Sequence, residues 1–212
     1  MNVLVYGATG MIGEAIVGEL LDRGHRVTAA SRQGAGPADR PGLTVVAADV
    51  TDRASVAALA PGHDAVVTAV RPAPGEGPDR VVEAARSLVT SLPGAGVLRV
   101  LAVGGAGGLQ VAPGVRVVDD PDFSPVYRPF SLAHVDALSV YAGADQSLAW
   151  TMVCCPRVIE PGERSGRYRV GGAELLSDAE GVSRITNADY AVALADELEQ
   201  AAHPRARISV AY

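Results

Sequence analysis

Six short apolar runs recur along the chain: Asn2–Tyr6, Arg26–Ala30, Leu43–Ala48, Asp64–Ala69, Leu98–Val103 and Trp150–Cys154, each bounded by Gly, Pro or charge. Their apolar positions are continuous rather than alternating, which predicts strands covered on both faces, as in a parallel sheet. Helical patterns lie between them. In Ile12–Leu21, Ile12, Ile16 and Leu20, joined by Val17 and Leu21, fall four apart and form one buried stripe, with Gly24 placed to end the helix. Further helices are predicted over Asp52–Leu59, capped by Asp49 or Thr51, and over Pro78–Ser91, Ser131–Ala144 and Asn187–Gln200. Ala206–Ala211 supplies a last strand, and 33–42, 69–77 and 104–129 read as loops. Strand and helix alternate, so the economical architecture is an α/β doubly wound parallel sheet with right-handed crossovers.

With 212 residues, the chain reads as a single domain, in which 157–185, weakly periodic and rich in glycine and arginine, forms a small substrate-side cap. A net charge of -6 and a pI near 5.2 argue against nucleic acid as a partner. No apolar run reaches the ~18 residues of a membrane span. Adjacent Cys154 and Cys155 build no disulfide framework and sit at no zinc-ligand spacing, so a cytoplasmic protein without a metal is expected, acting on a small molecule as a monomer or homodimer. All 18 basic residues are arginine, and the absence of lysine removes every lysine-based acid, base or nucleophile.

Candidate chemistry begins at Gly7-Ala8-Thr9-Gly10-Met11-Ile12-Gly13, between the first strand and the first helix. Gly7 permits a sharp turn, Gly10 a close approach to a diphosphate, and Gly13 tight packing of helix on strand, while the Met11 and Ile12 amides point at the phosphates from the positive helix end. Thr9 belongs to the same loop. A dinucleotide site in a Rossmann-like sheet follows, and the missing lysine excludes a nucleoside triphosphatase. After the second strand stands Ser31-Arg32 in place of a carboxylate. A guanidinium there pairs with a 2′-phosphate and Ser31 offers a hydroxyl, so NADPH is preferred over NADH. Asp49 is read either as a hydrogen-bond partner of adenine or as a helix N-cap. Val70, after the fourth strand, completes the expected cofactor contacts.

With Arg32, Gly104-Gly105-Ala106-Gly107, Trp150-Thr151, Asp120-Pro121-Asp122-Phe123, Pro161–Arg169, Gly181–Ile185 and Asp189–Ala193, this loop resembles the atypical short-chain dehydrogenase/reductases, specifically the NAD(P)H-binding proteins named NADH-flavin reductases and related to biliverdin/flavin reductases. The resemblance spans essentially the whole chain. The superfamily's usual Ser, Tyr and Lys are absent: Tyr127 is followed four residues later by Ser131, and Gly104 and Gly105 occupy the expected serine position. The resemblance implies hydride transfer from NADPH to a flavin or another planar, conjugated acceptor, a reaction that asks mainly for position and orientation. Gly104–Gly108 would form a platform for the stacked rings, and Pro156 would lie beside the nicotinamide. Two alternatives remain: a non-catalytic NADP(H) sensor, and a tailoring reductase, dehydratase or isomerase of a specialised metabolite.

Three side chains are candidates for catalysis or substrate anchoring. His134 is either a proton donor or a surface histidine, Tyr127 an acid-base group, and Arg157 either a grip for a substrate anion or the partner of Glu160 or Glu163. Arg164, Arg167 and Arg169, with Tyr168, either bind an anionic group or form a solvated hairpin. One of Cys154 and Cys155 is expected to face the crevice and the other to pack inside.

Overall fold

A computed structural model describes residues 1–72 and 75–212; positions 73 and 74 of the predicted 69–77 loop lie outside the described residues. The first half runs β1 (Asn2–Tyr6), α1 (Met11–Asp22), β2 (Arg26–Ser31), β3 (Leu43–Ala47), α2 (Arg53–Leu59), β4 (Ala65–Thr68) and α3 (Arg80–Ser91). The second continues with β5 (Arg99–Gly104), the hairpin β6 (Gln110–Ala112) and β7 (Val115–Arg116), α4 (Arg128–Ala142), β8 (Ala149–Cys154), β9 (Val158–Glu160), β10 (Arg169–Gly171), β11 (Arg184–Thr186), α5 (Asn187–Gln200) and β12 (Ala206–Ala211).

Among the described residues, eight strands form one sheet in the order β10-β12-β8-β5-β4-β1-β2-β3, parallel throughout except for β10, which runs antiparallel to β12. This is the Rossmann-like α/β arrangement. Side chains alternate between its faces: Leu4 and Tyr6 join a core with Val56, Leu88 and Tyr141 beneath α2, α3 and α4, while Val3 and Val5 join Ile16, Leu20 and Leu194 beneath α1 and α5. The order reverses between β1 and β4, where crossovers leave in opposite directions and a crevice opens at the strands' carboxyl ends.

Several boundaries differ from expectation for physical reasons. β3 is the sheet edge, so Val45 is exposed despite its apolar run. Asp52, not Asp49 or Thr51, caps α2, accepting from the Ala54 amide at 2.9 Å. α4 starts at Arg128 because Pro129 fits a helix's first turn, where its missing N–H costs nothing. The expected cap is partly woven into the body: β10 extends the main sheet, while β9 pairs with β11 in a small parallel ladder. No helix among the described residues is long and apolar enough to cross a membrane.

Candidate active site

The crevice is built on the turn between β1 and α1. Gly7 takes a left-handed φ of +78°, its amide donates to the Ala30 carbonyl (3.2 Å), and the Gly10 amide donates back to the Gly7 carbonyl (3.2 Å). A methyl at Gly7 would stand 2.6 Å from the Ala69 carbonyl oxygen, and one at Gly13 only 2.0 Å from the Gly7 oxygen. At Gly10 the nearest atom would be 3.6 Å away. Gly7 and Gly13 are therefore required by the fold itself, whereas Gly10 keeps a surface open to a ligand. Gly10 is also the N-cap of α1 and brings no side chain to the first amides, so those of Met11 and Ile12 have no capping partner among the described residues at the positive helix end.

A cavity of about 250 Å³ extends from this turn across the strand ends, lined by Gly7, Thr9, Gly10, Ser31, Arg32 and Val70, with Tyr6 and Val50 among its apolar walls. The Tyr6 hydroxyl is buried without a partner among the described residues, and burial, aided by the Asp49 charge, pushes its pKa up to about 12. At the far end Arg32 pairs with Glu76. Arg80, which also lines the cavity, donates to Asp49 Oδ1 at 2.7 Å and lies 3.6 Å from Glu76. Asp49 Oδ1 further accepts from the Thr51 amide (2.9 Å) and hydroxyl (2.8 Å). Burial would raise this carboxyl's pKa, but the bonds from Arg80 and Thr51 outweigh burial and hold it below the usual range. Ser31 gives its proton to the Ala35 carbonyl at 2.5 Å, so as it stands the hydroxyl is committed within its own loop.

Arg71, Glu76 and Arg80 were not singled out from sequence. The four-residue spacing of Glu76 and Arg80 is a visible pairing signal. The link from Glu76 to Arg32, 44 residues earlier, exists only in the fold.

At the end of β5 the glycines answer first to packing. A methyl at Gly104 would sit 2.7 Å from Cys154 Sγ, one at Gly105 3.3 Å from the His134 ring, and one at Gly107 2.5 Å from Ser131 Cβ. His134 is thus tucked behind Gly105, in an apolar cleft with Val70, Val103 and Met152, and is not the surface histidine considered from sequence. Its Nδ1 is buried without a partner among the described residues, and burial pushes its pKa down to about 4. The ring is therefore neutral at pH 7.

A second cleft, about 460 Å³, opens on the other side of these glycines, between Phe123, Tyr127, Ser131, Cys155, Pro156 and Arg157, with the carboxylates of Asp120 and Asp122 at its margin. Arg128 steadies this wall: it donates to the Val118 (2.6 Å) and Asp120 (2.9 Å) carbonyls and lies 5.6 Å from the centre of the Phe123 ring. Tyr127 is 66% exposed. Among the described residues no carboxylate lies within ion-pair distance of Arg157, so the expected pairs with Glu160 or Glu163 do not form and the exposed guanidinium is available to a ligand. Cys155 lines the cleft and Cys154 packs inside; burial pushes the thiols up to about 11 and about 12.

The structure thus gathers Tyr127, Pro156 and Arg157 in one cleft and sets His134 behind its wall. It directs the arginines of 164–169 elsewhere. Arg164 forks onto Glu19 of α1 (2.7 and 2.9 Å), Tyr168 donates to Asp196 of α5, and Arg169 donates to the Ser177 (2.7 Å) and Tyr212 carbonyls. The idea of an anion site there fails for these three, because they fasten this segment to the body. Arg167 remains exposed.

Comparison with known proteins agrees with the geometry. The chain is 36% identical over 213 aligned residues, 99% of its length and 98% of the other's, to the uncharacterised protein YwnB of Bacillus subtilis. Among solved structures, a Burkholderia pseudomallei protein named as exported superposes with a TM-score of 0.91 at 42% identity, each chain covered completely. A Streptococcus pneumoniae protein provisionally named an NADH-flavin reductase gives 0.85 at 31%, covering 100% of this chain and 99% of the other. The family model for NAD(P)H-binding proteins matches residues 7–198, from the first glycine of the turn to the end of α5, and the chain belongs to that NAD(P)H-binding family.

Proposed function

We propose that this protein is an NADPH-dependent oxidoreductase that reduces a flavin or another planar, conjugated acceptor. The observation that supports the reading is that two unlike cavities open at the carboxyl ends of the sheet strands: one with open helix amides and guanidinium groups, the other with an arginine that has no carboxylate partner among the described residues. The open approach at Gly10 and the unpaired amides of α1 fit a diphosphate. Thr9, Gly10, Met11 and Ile12 would hold it, Arg32 the 2′-phosphate, and Asp49, whose Oδ2 has no partner among the described residues, the adenine. Val70, Gly104, Gly105 and Pro156 would flank the nicotinamide. Bound NADPH supplies a hydride.

The protein's own groups orient the acceptor and withhold protons. Tyr127 and Phe123 offer aromatic faces to a planar ring, and Arg157 a fixed positive charge to its polar edge. His134 and the two cysteines are poor acids here: the imidazole is already neutral, and thiols raised to about 11 and 12 surrender their protons poorly. An acceptor that takes hydride first and its proton later from water suits such a cleft; a simple ketone does not. The two free thiols fit a reducing compartment, and we read the protein as cytoplasmic, although one similar protein is named as exported. The test is purified protein with NADPH and riboflavin, FMN or a quinone, followed at 340 nm. Acceptor-dependent oxidation above background is expected; none with any of them overturns the proposal.

A further inference from the structure

We infer that Glu76 tunes the choice between phosphorylated and unphosphorylated dinucleotide by occupying the Arg32 guanidinium until a 2′-phosphate takes its place. The inference rests on the proposed cofactor site. Dinucleotide folds that select an unphosphorylated ribose carry an acidic residue at the end of the second strand, where it accepts from the 2′-hydroxyl and repels phosphate. Here that position is Ser31-Arg32, yet the fold returns a carboxylate to the same place from the loop before α3.

The geometry makes this carboxylate a competitor. Glu76 Oε1 accepts from Arg32, while Oε2 lies 3.6 Å from Arg80 Nε. Arg80 is anchored on its other side by Asp49 at 2.7 Å, and its side chain is 15% exposed against 45% for Arg32. Two guanidinium groups therefore meet two carboxylates, and their charges cancel. Arg71 also lines the cavity. A 2′-phosphate entering here must take Arg32 from Glu76 or share it, and in both cases sits near a like charge. An unphosphorylated ribose can instead leave Glu76 in place and donate its 2′-hydroxyl to it. Because the Arg32 side chain is 45% exposed and Glu76 only half-buried, the pair holds weakly enough to open.

The experiment measures Kd for NADPH, NADH, 2′,5′-ADP and 5′-AMP by calorimetry with wild type, E76Q and E76A. Removing one like charge from an exposed phosphate site is expected to tighten NADPH and 2′,5′-ADP about five- to tenfold. NADH and 5′-AMP should stay unchanged or weaken up to about threefold, the loss of one hydrogen bond to an exposed carboxylate. In an R32Q background the E76Q gain should largely vanish, since the groups act through each other. Equal shifts for both members of each ligand pair, or none, with wild-type NADPH binding intact, overturn the role of Glu76 and leave the cofactor site standing. Failure of every ligand to bind wild type and variants with unchanged melting temperatures overturns both.

Discussion

Replacing Gly10 and Gly13 by alanine, one at a time, separates the glycine that faces a ligand from the one that closes the fold. At Gly13 the added methyl would meet the Gly7 carbonyl oxygen at 2.0 Å and its carbon at 2.8 Å, backbone that cannot swing aside as a flexible side chain would. Overpacking of this kind costs about 1–3 kcal/mol and sometimes more. At about 2–4 °C per kcal/mol for a chain of this size, Gly13→Ala should melt roughly 2–12 °C early. At Gly10 the backbone is extended, with φ −81° and ψ 159°, and the nearest atom would be 3.6 Å away. Alanine adopts that conformation, and restricting the unfolded chain offers up to about 1 kcal/mol of stabilisation. Gly10→Ala should therefore melt at or slightly above wild type. Its methyl nevertheless occupies the approach to the α1 amides, so NADPH Kd should rise at least about tenfold, the equivalent of one 1.4 kcal/mol step. Gly18→Ala, mid-helix with nothing within 4 Å, is the control and should gain stability without altering binding. Thermal melts by circular dichroism and NADPH fluorescence titration read the two effects separately. Wild-type NADPH affinity in Gly10→Ala, or a wild-type melt in Gly13→Ala, would refute the assignment of roles.

Further outcomes follow from named contacts. Glu197 is 4% exposed and holds buried Arg99 (2.8 Å), the His203 amide (3.0 Å) and the His203 ring (2.8 Å); Glu197→Ala should cost about 3–5 kcal/mol in urea unfolding, because a buried guanidinium is left unpaired. Acid should act on the same contacts: burial would raise the Glu197 pKa, but His203 and Arg99 outweigh burial and hold it below 4.5, so its contribution is complete above that value and disappears as pH falls through the lowered one. His134 adds to this loss, since the unfolded ring binds a proton below 6.5 and the folded one only near 4; urea midpoints should fall from pH 6.5 downward, and a flat midpoint between 6.5 and 4 would contradict its burial. For turnover, the same neutral ring predicts a kcat/KM profile without a limb near 6.5, and Arg157→Gln should raise the acceptor's KM several-fold while leaving NADPH Kd unchanged.

What could be read from the sequence was what short segments decide for themselves. β1, α5 and β12 emerge with their expected limits, and the glycine turn sits where its spacing placed it, because a strand end, a left-handed glycine and a helix start are adjacent in the chain. The hairpin β6–β7 and the ladder β9–β11 were missed because strands of two or three residues leave no periodicity and depend on their partners. The site divides the same way. Gly7, Gly10 and Ser31-Arg32 were legible, but the charge that answers Arg32 comes from Glu76, and the body that holds Arg164 is Glu19, 145 residues away.

Long-range polar contacts of this kind also explain why the C-terminal segment takes its shape. Asp189, fully buried at the start of α5, accepts from the Ser165 amide (2.8 Å) and hydroxyl (2.6 Å), the Gly166 amide (2.7 Å) and the Tyr212 hydroxyl (2.6 Å). One carboxylate thereby binds the 161–168 segment and the last residue to the helix. Nearby, Asn187 donates to the Met11 carbonyl in the first turn of α1 at 3.3 Å. Part of the segment read from composition as a small cap beside the crevice is held against α1 and α5 near the glycine turn. The mouth of the cavity beside the glycine turn is therefore braced from the far end of the chain, and cuts or insertions at 161–168 should weaken dinucleotide binding by loosening that bracing.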